Sequence, residues 1–183
     1  MNYYSLLMTT SHPSSSTDTP RFGQHGVAVK VDNTGILILG KPGVGKSSLA
    51  LELLAQGHQL VADDHIEFSI LGPQLIAHCP TQTSGLLHSR ELGMIDVRKL
   101  YPENAWLAQM VVEMIIKLHH GPNTPVNYEG TWQLTEIMQM QIPSVSLSVS
   151  SPTSLSARVL AAVKLLPLRQ SELHLTNSRA TTI

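Results

Sequence analysis

Apolar residues recur along this chain in more than one rhythm, and each rhythm implies an element. Val27, Val29 and Val31 alternate with other residues, and after Asp32-Asn33-Thr34-Gly35 comes a continuous apolar run from Ile36 to Leu39. This pattern predicts two strands around a four-residue turn. Pairing Val31 with Ile36 sets Val27 opposite Gly40 and His25 opposite Pro42, which carries His25 to the rim of the loop that follows. From Ser47 to Gln56 the apolar positions Leu49, Ala50, Leu53 and Leu54 fall on one helical face, and Gly57 stands where a left-handed C-cap residue belongs. Residues 59–62 then read as a short strand. A right-handed crossover makes it parallel to residues 36–39, so that both finish at one sheet edge with Asp63 and Asp64 at the strand's end.

Further along, residues 66–70 and 74–78 read as a hairpin around Leu71-Gly72-Pro73. Periodicity leaves residues 84–100 open between loop and strand. The β-branched run 111–118 predicts one largely buried strand, 119–130 a polar Gly/Pro/Asn loop, 132–140 a short helix and 143–149 a half-exposed strand. Met138 and Met140 suit packing. Residues 154–166 form an amphipathic helix with Leu155, Val159, Ala162, Val163 and Leu166 toward the core, and the polar stretch beyond Pro167 is expected to fray. Residues 9–20 are rich in Ser, Thr and Pro and poor in groups that could bury. The resulting division is a disordered segment 1–21, a folded domain 22–168 and a flexible tail 169–183.

Composition narrows the function classes. Charged residues make up 14% of 183 residues and the net charge is −1, so no basic footprint for nucleic acid exists. No apolar run approaches the roughly 18 residues of a membrane span, and the start of the chain lacks the positive region of a secretory signal. The expectation is a soluble cytoplasmic protein with no nucleic acid and no membrane partner. One cysteine, Cys79, cannot form an internal disulfide. Nine histidines show no metal-binding spacing, and His119-His120 beside Gly121-Pro122 suits a solvated turn.

The chemistry concentrates between the second strand and the helix. Gly40-Lys41-Pro42-Gly43-Val44-Gly45-Lys46-Ser47 has the G-x-x-x-x-G-K-S spacing of a phosphate-binding loop. Glycines let backbone N–H groups turn toward phosphate oxygens, and the helix adds its positive end at the same place. Lys46 reaches the outer phosphates and Ser47 holds a magnesium ion. Asp63 and Asp64, at the same edge, divide two tasks: one carboxylate near the magnesium and its waters, the other accepting a proton from an attacking hydroxyl.

With His25-Gly26-Val27, GKPGVGKSSLALELLAQGHQLVADD, SRELGMIDVRKLY and, more weakly, EIMQMQIPSVSLSV, the chain from about Phe22 to Leu166 resembles the catalytic domain of the bacterial HPr kinase/phosphorylase family. The resemblance implies an α/β fold with a mixed β-sheet and a P-loop, like the nucleotide domain of phosphoenolpyruvate carboxykinase. It implies ATP and Mg2+ as cofactors, with ATP on Gly40 to Ser47, Ser47 and Asp64 on the metal side, and Lys46 on the phosphates. Asp63 takes the place of the general base, His25 that of the active-site histidine and Asp64 that of the second acidic residue. The implied partner is HPr or an HPr-like phosphocarrier, phosphorylated on serine, and the implied assembly a homo-oligomer, a hexamer in such enzymes. Three positions depart from the family pattern. His88 replaces a glutamate that helps hold magnesium, Tyr128-Glu129-Gly130-Thr131 lacks an arginine, and Val149-Ser-Ser-Pro-Thr-Ser154 lacks the two arginines tied to phosphorolysis. A kinase without phosphorolysis follows. The alternatives are a nucleotide-binding regulator that has lost transfer and a small-molecule kinase on the same scaffold.

Overall fold

The computed structural model describes residues 22–121 and 130–180. The readings for 1–21, for 122–129 with Tyr128 and Glu129, and for 181–183 lie outside the described residues. Within them the chain builds one large mixed sheet with helices on one face. Strand β1 (Phe22–Val31) turns into β2 (Thr34–Gly40). The turn is two residues long rather than four, because Asp32 adopts φ 52 and closes the chain at once. The pairing is therefore Val31 with Thr34 and Val27 with Ile38, two residues from the sequence-based register.

Helix α1 (Lys46–Ala55) follows, ending where Gly57 takes φ +90. The next segment corrects a second expectation. Residues 59–62 and 66–70 are one strand, β3 (Gln59–Leu71), with Asp63 and Asp64 inside it. β3 runs in the direction of β2, but β1 lies between them, antiparallel to both. Asp64 holds φ 69, an unusual backbone for a residue other than glycine, and it marks a kink within the strand rather than its end. β4 (Gln74–His78) completes the expected hairpin around Gly72-Pro73.

Residues 84–100 resolve into a hairpin, β5 (Leu86–Ser89) and β6 (Gly93–Asp96), and a single helical turn, α2 (Val97–Leu100). The predicted strand 111–118 is two strands, β7 (Gln109–Val111) and β8 (Met114–His119). The predicted helix 132–140 is also corrected: it is β9 (Gln133–Ile137) and a tight turn into β10 (Met140–Ser148), with Met138 and Gln139 at φ 48 and 67. Helix α3 (Leu155–Ala180) does not stop at Pro167 but carries it inside.

The strand order is β7-β4-β3-β1-β2-β8-β10-β9. β7 and β8 stand five strand spacings apart in that order, about 24 Å in a flat sheet, yet the link from Val111 to Met114 reaches at most about 11 Å. The sheet must curl. At the seam Gly35 and Glu113 exchange backbone and carboxylate hydrogen bonds, and a Cβ on Gly35 would come within 1.8 Å of the Val111 carbonyl oxygen. Only glycine fits there.

Period-two alternation sorts the strands between two cores. Val27, Val29, Val31, Ile36, Ile38, Met114 and Ile116 face Leu49 and Leu53 of α1 and Val159 and Val163 of α3. Ala28, Leu37 and Ile115 face the concave side, filled by Ile66, Phe68, Leu75 and Ile142. Among the described residues no helix is long and apolar enough to cross a membrane.

Candidate active site

Loop 40–46 joins the C-terminal end of β2 to α1. Gly45 caps the helix in left-handed geometry, φ 102, and a Cβ there would meet nothing within 4 Å, so this face of the loop opens to solvent. Lys46 Nζ donates to the carbonyls of Gly40 (3.1 Å) and Lys41 (3.3 Å), arching back over the loop. Free N–H groups at a helix start beside an ammonium form a site for anions.

The two aspartates meet this loop in different ways. Asp63 is 5% exposed. Its Oδ1 accepts from the Ser47 hydroxyl at 2.8 Å and its Oδ2 from the His88 N–H at 2.8 Å. Burial pushes its carboxyl above the ordinary value of 3.8, against the pull of those two hydrogen bonds. Asp63 thereby joins three elements: α1, β3 and the β5–β6 hairpin. Asp64, one residue on, is open to solvent, its side chain 81% exposed, with Oδ1 3.3 Å from His25 Nδ1. His25 Nδ1 also lies 2.9 Å from the Asp64 carbonyl oxygen. A carbonyl only accepts, so Nδ1 carries the hydrogen and Nε2 is left for another partner.

Ser47, Asp63, Asp64 and His88 line one open cleft of about 280 Å³ with Thr83, Leu86 and Met94. That volume sits just under the range of about 300–1,000 Å³ usual for small-molecule sites, enough for phosphates and an incoming side chain. Because the Ser47 hydroxyl gives its proton to Asp63, its lone pairs are available to a cation. Among the described residues no three His, Cys, Asp or Glu side chains converge as a complete metal site. A magnesium ion here fits a partial oxygen set that nucleotide phosphates would complete, as is usual for this ion.

The chain as a whole has counterparts among known proteins. The family described as HPr Serine kinase C-terminal domain matches residues 18–180. The chain belongs to that family. The HPr kinase/phosphorylase of Cupriavidus necator is 34% identical over 154 residues, covering 82% of this chain and 47% of the relative. That of Xanthomonas campestris pv. campestris is 34% identical over 172 residues, 91% of this chain and 54% of the relative. The chain thus spans about half the length of these curated relatives. The structure of the Hpr(Ser) kinase/phosphatase from Coxiella burnetii matches with a TM-score of 0.75 at 28% identity, covering 82% of this chain and 99% of that one. The large mixed sheet expected from the sequence is therefore the fold of this HPr serine kinase domain.

Within the family frame, the structure brings together Lys46, Ser47, Asp63, Asp64 and His25 around one loop, with His88 beside them. Of the β5–β6 hairpin, sequence reasoning set only His88 at the site, by resemblance, and left the hairpin's own fold open. Its link to the site is a backbone N–H, that of His88, and a backbone donor leaves no signature in side-chain chemistry.

Proposed function

We propose that this chain is an ATP- and Mg2+-dependent protein-serine kinase acting on HPr or an HPr-like phosphocarrier protein. The observation that carries the reading is the split environment of the acidic pair: Asp63 fixed on Ser47 beneath the loop, Asp64 open to solvent beside His25. Binding alone has no use for an exposed carboxylate at the loop's edge; transfer to a hydroxyl does. The sequence-based division gives the proton to Asp63 and the metal side to Asp64. The geometry favours the reverse, since both Asp63 oxygens already hold donors and the residue is buried, whereas an incoming serine can reach Asp64.

On this reading the loop amides and Lys46 hold the phosphates, and Asp63 keeps the Ser47 lone pairs turned toward the cation. The bound magnesium neutralises phosphate charge. The serine Oγ–P bond forms as the β–γ bridging P–O bond breaks, ADP leaves, and the hydroxyl proton passes to Asp64. His25, holding Asp64 through its backbone oxygen, keeps the carboxylate at the cleft. Loss of the arginines from 149–154 supports a kinase without phosphorolysis, because Ser and Thr supply no cation for a phosphoserine or inorganic phosphate.

The nucleotide-binding regulator is the second reading, favoured by an imidazole, His88, in the cleft where magnesium prefers oxygen. Incubation with γ-labelled ATP, Mg2+ and HPr separates the two. Labelled HPr, abolished by replacing the acceptor serine, supports the kinase; nucleotide binding without label supports the regulator.

A further inference from the structure

His65 follows the acidic pair on β3 and lies directly opposite His25 of β1 in the strand register. The two imidazoles meet edge to face, with centroids 6.3 Å apart and planes at 84°, inside the range of about 4.5–7 Å at which aromatic rings attract in this arrangement. The seat for His65 is the missing side chain of Gly23, two residues before His25 and on the same face of β1. A Cβ on Gly23 would come within 2.7 Å of His65 Cε1 and 2.8 Å of Nε2, so the imidazole fills the space that a side chain there would take. Gly23 is not among the glycines at positive φ. Room for the ring, not backbone freedom, is what glycine supplies at this position. Both histidines are exposed, and among the described residues no hydrogen bond or ion pair engages the His65 nitrogens. An exposed histidine in a strand is ordinary; one seated over a glycine and against the imidazole that holds Asp64 is not. His25 Nδ1 donates to the Asp64 carbonyl oxygen at 2.9 Å and lies 3.3 Å from its Oδ1. One hydrogen bond leaves an imidazole free to turn about it, and the contact with His65 fixes the plane of the ring.

We propose that His65 is a positioning residue for phosphoryl transfer: seated over Gly23, it steadies the His25 ring and, through it, the Asp64 carboxylate that receives the serine proton. The inference rests on the kinase reading and on the assignment of the base to Asp64, and names a residue that neither uses. No bond forms or breaks at His65, and its nitrogens take no part. Its contribution is the flat edge of a ring, which keeps the base in place while the acceptor hydroxyl approaches, a stage at which small displacements are costly in rate. Two consequences separate this role from others. A phenyl ring at 65 serves as well as an imidazole. A methyl group at 23 harms as much as loss of the ring, because it meets the far end of a flexible side chain and moves His65 instead of the strand.

The test compares His65→Ala, His65→Phe and Gly23→Ala with wild type in the full chain. Single-turnover transfer from γ-labelled Mg·ATP to HPr gives the rate and its dependence on HPr concentration, and proton–nitrogen correlation spectra of the His25 ring show which nitrogen carries the hydrogen. An unchanged melting temperature verifies that each variant folds. His65→Ala and Gly23→Ala are each expected to slow transfer at saturating HPr roughly three- to tenfold, the worth of one aromatic contact, with the KM for HPr within about twofold of wild type. Both lower the share of His25 that carries its hydrogen on Nδ1. His65→Phe keeps the rate and the Nδ1 signal near those of wild type. Wild-type transfer by His65→Ala, an unaltered His25 signal in that variant, a Gly23→Ala that leaves rate and signal untouched, or a His65→Phe no better than His65→Ala would overturn the inference. A loss confined to the KM for HPr would also overturn it, since direct contact with the acceptor then accounts for His65. If wild type transfers nothing while the His25 signal still shifts in His65→Ala and Gly23→Ala and is kept in His65→Phe, the kinase reading fails and the seating of His25 by His65 stands.

Discussion

Replacing Asp63 by asparagine probes the junction beneath the loop, because the change removes charge and one acceptor while keeping shape. Asp63 meets two donors, the Ser47 hydroxyl and the His88 N–H, each at 2.8 Å. An amide has one oxygen, so one donor is satisfied and the other faces an NH2 group. A part-buried donor left unpaired costs about 1–3 kcal/mol. In a domain of this size that lowers Tm by roughly 2–4 °C per kcal/mol. A second consequence is local: a metal ligand that loses its hydrogen-bonded support typically loses about 10–100-fold in metal affinity. The pH dependence has a definite sign. Burial raises the Asp63 pKa above 3.8, so the native state binds this proton more tightly than the unfolded chain. Stability from this group is highest below 3.8 and falls as pH climbs through the raised value. The amide side chain does not titrate and has no such fall, so the deficit of Asp63→Asn shrinks from acid to neutral pH. Scanning calorimetry from acid to neutral pH, paired with titration of Mg2+ into the nucleotide complex, reads both effects. A variant that melts with wild type at every pH and binds Mg·nucleotide equally well would refute the junction.

Further outcomes follow from particular atoms. Gly35→Ala sets a Cβ within 1.8 Å of the Val111 carbonyl oxygen and is expected to abolish or severely reduce folded protein, measured by soluble yield and circular dichroism; a stable, wild-type-like product would show that the seam gives way. Gly45→Ala meets no neighbour within 4 Å but must adopt φ 102 with its methyl in the open cradle. Its stability loss is about 1–2 kcal/mol, whereas nucleotide affinity falls by more than that strain explains, and a variant with unchanged ATP affinity counts against the loop as a phosphate site. His88→Glu adds a hard oxygen donor to the cleft and is expected to raise Mg2+ affinity relative to Mn2+, read by titration of the nucleotide complex; an unchanged ratio removes His88 from the metal's surroundings. Phosphoserine-HPr incubated with inorganic phosphate is expected to keep its label, and its rapid loss would contradict the argument from the missing arginines.

The sequence carries much of this plan, unevenly. The glycine spacing, the helical face of Leu49, Ala50, Leu53 and Leu54, and the C-cap at Gly57 are local features, and local chemistry decides them. The errors arise where distant chain segments decide. Asp63-Asp64 reads as a strand end because acidic pairs close strands, but β1 pairs with β3 from Gln59 to Phe68 and carries it through the kink. Val111 and Met114 look continuous because both are apolar, and only the curl of the sheet separates β7 from β8. Met138-Gln139 forms a tight turn with both residues at positive φ, a conformation neither side chain advertises. The register of the first hairpin rests on Asp32 taking φ 52, which allows a two-residue closure. The different surroundings of Asp63, buried on Ser47 and His88, and of Asp64, exposed beside His25, depend on partners from distant segments and appear in no one-dimensional pattern.

The division of labour between the two aspartates meets its most direct test in rapid-quench measurement of one turnover, γ-labelled ATP to HPr, with Asp64→Asn beside wild type. Transfer is predicted to slow by roughly 10²–10⁴-fold, the usual worth of a positioned base, with ATP affinity unchanged. Transfer at the wild-type rate by Asp64→Asn would contradict the account.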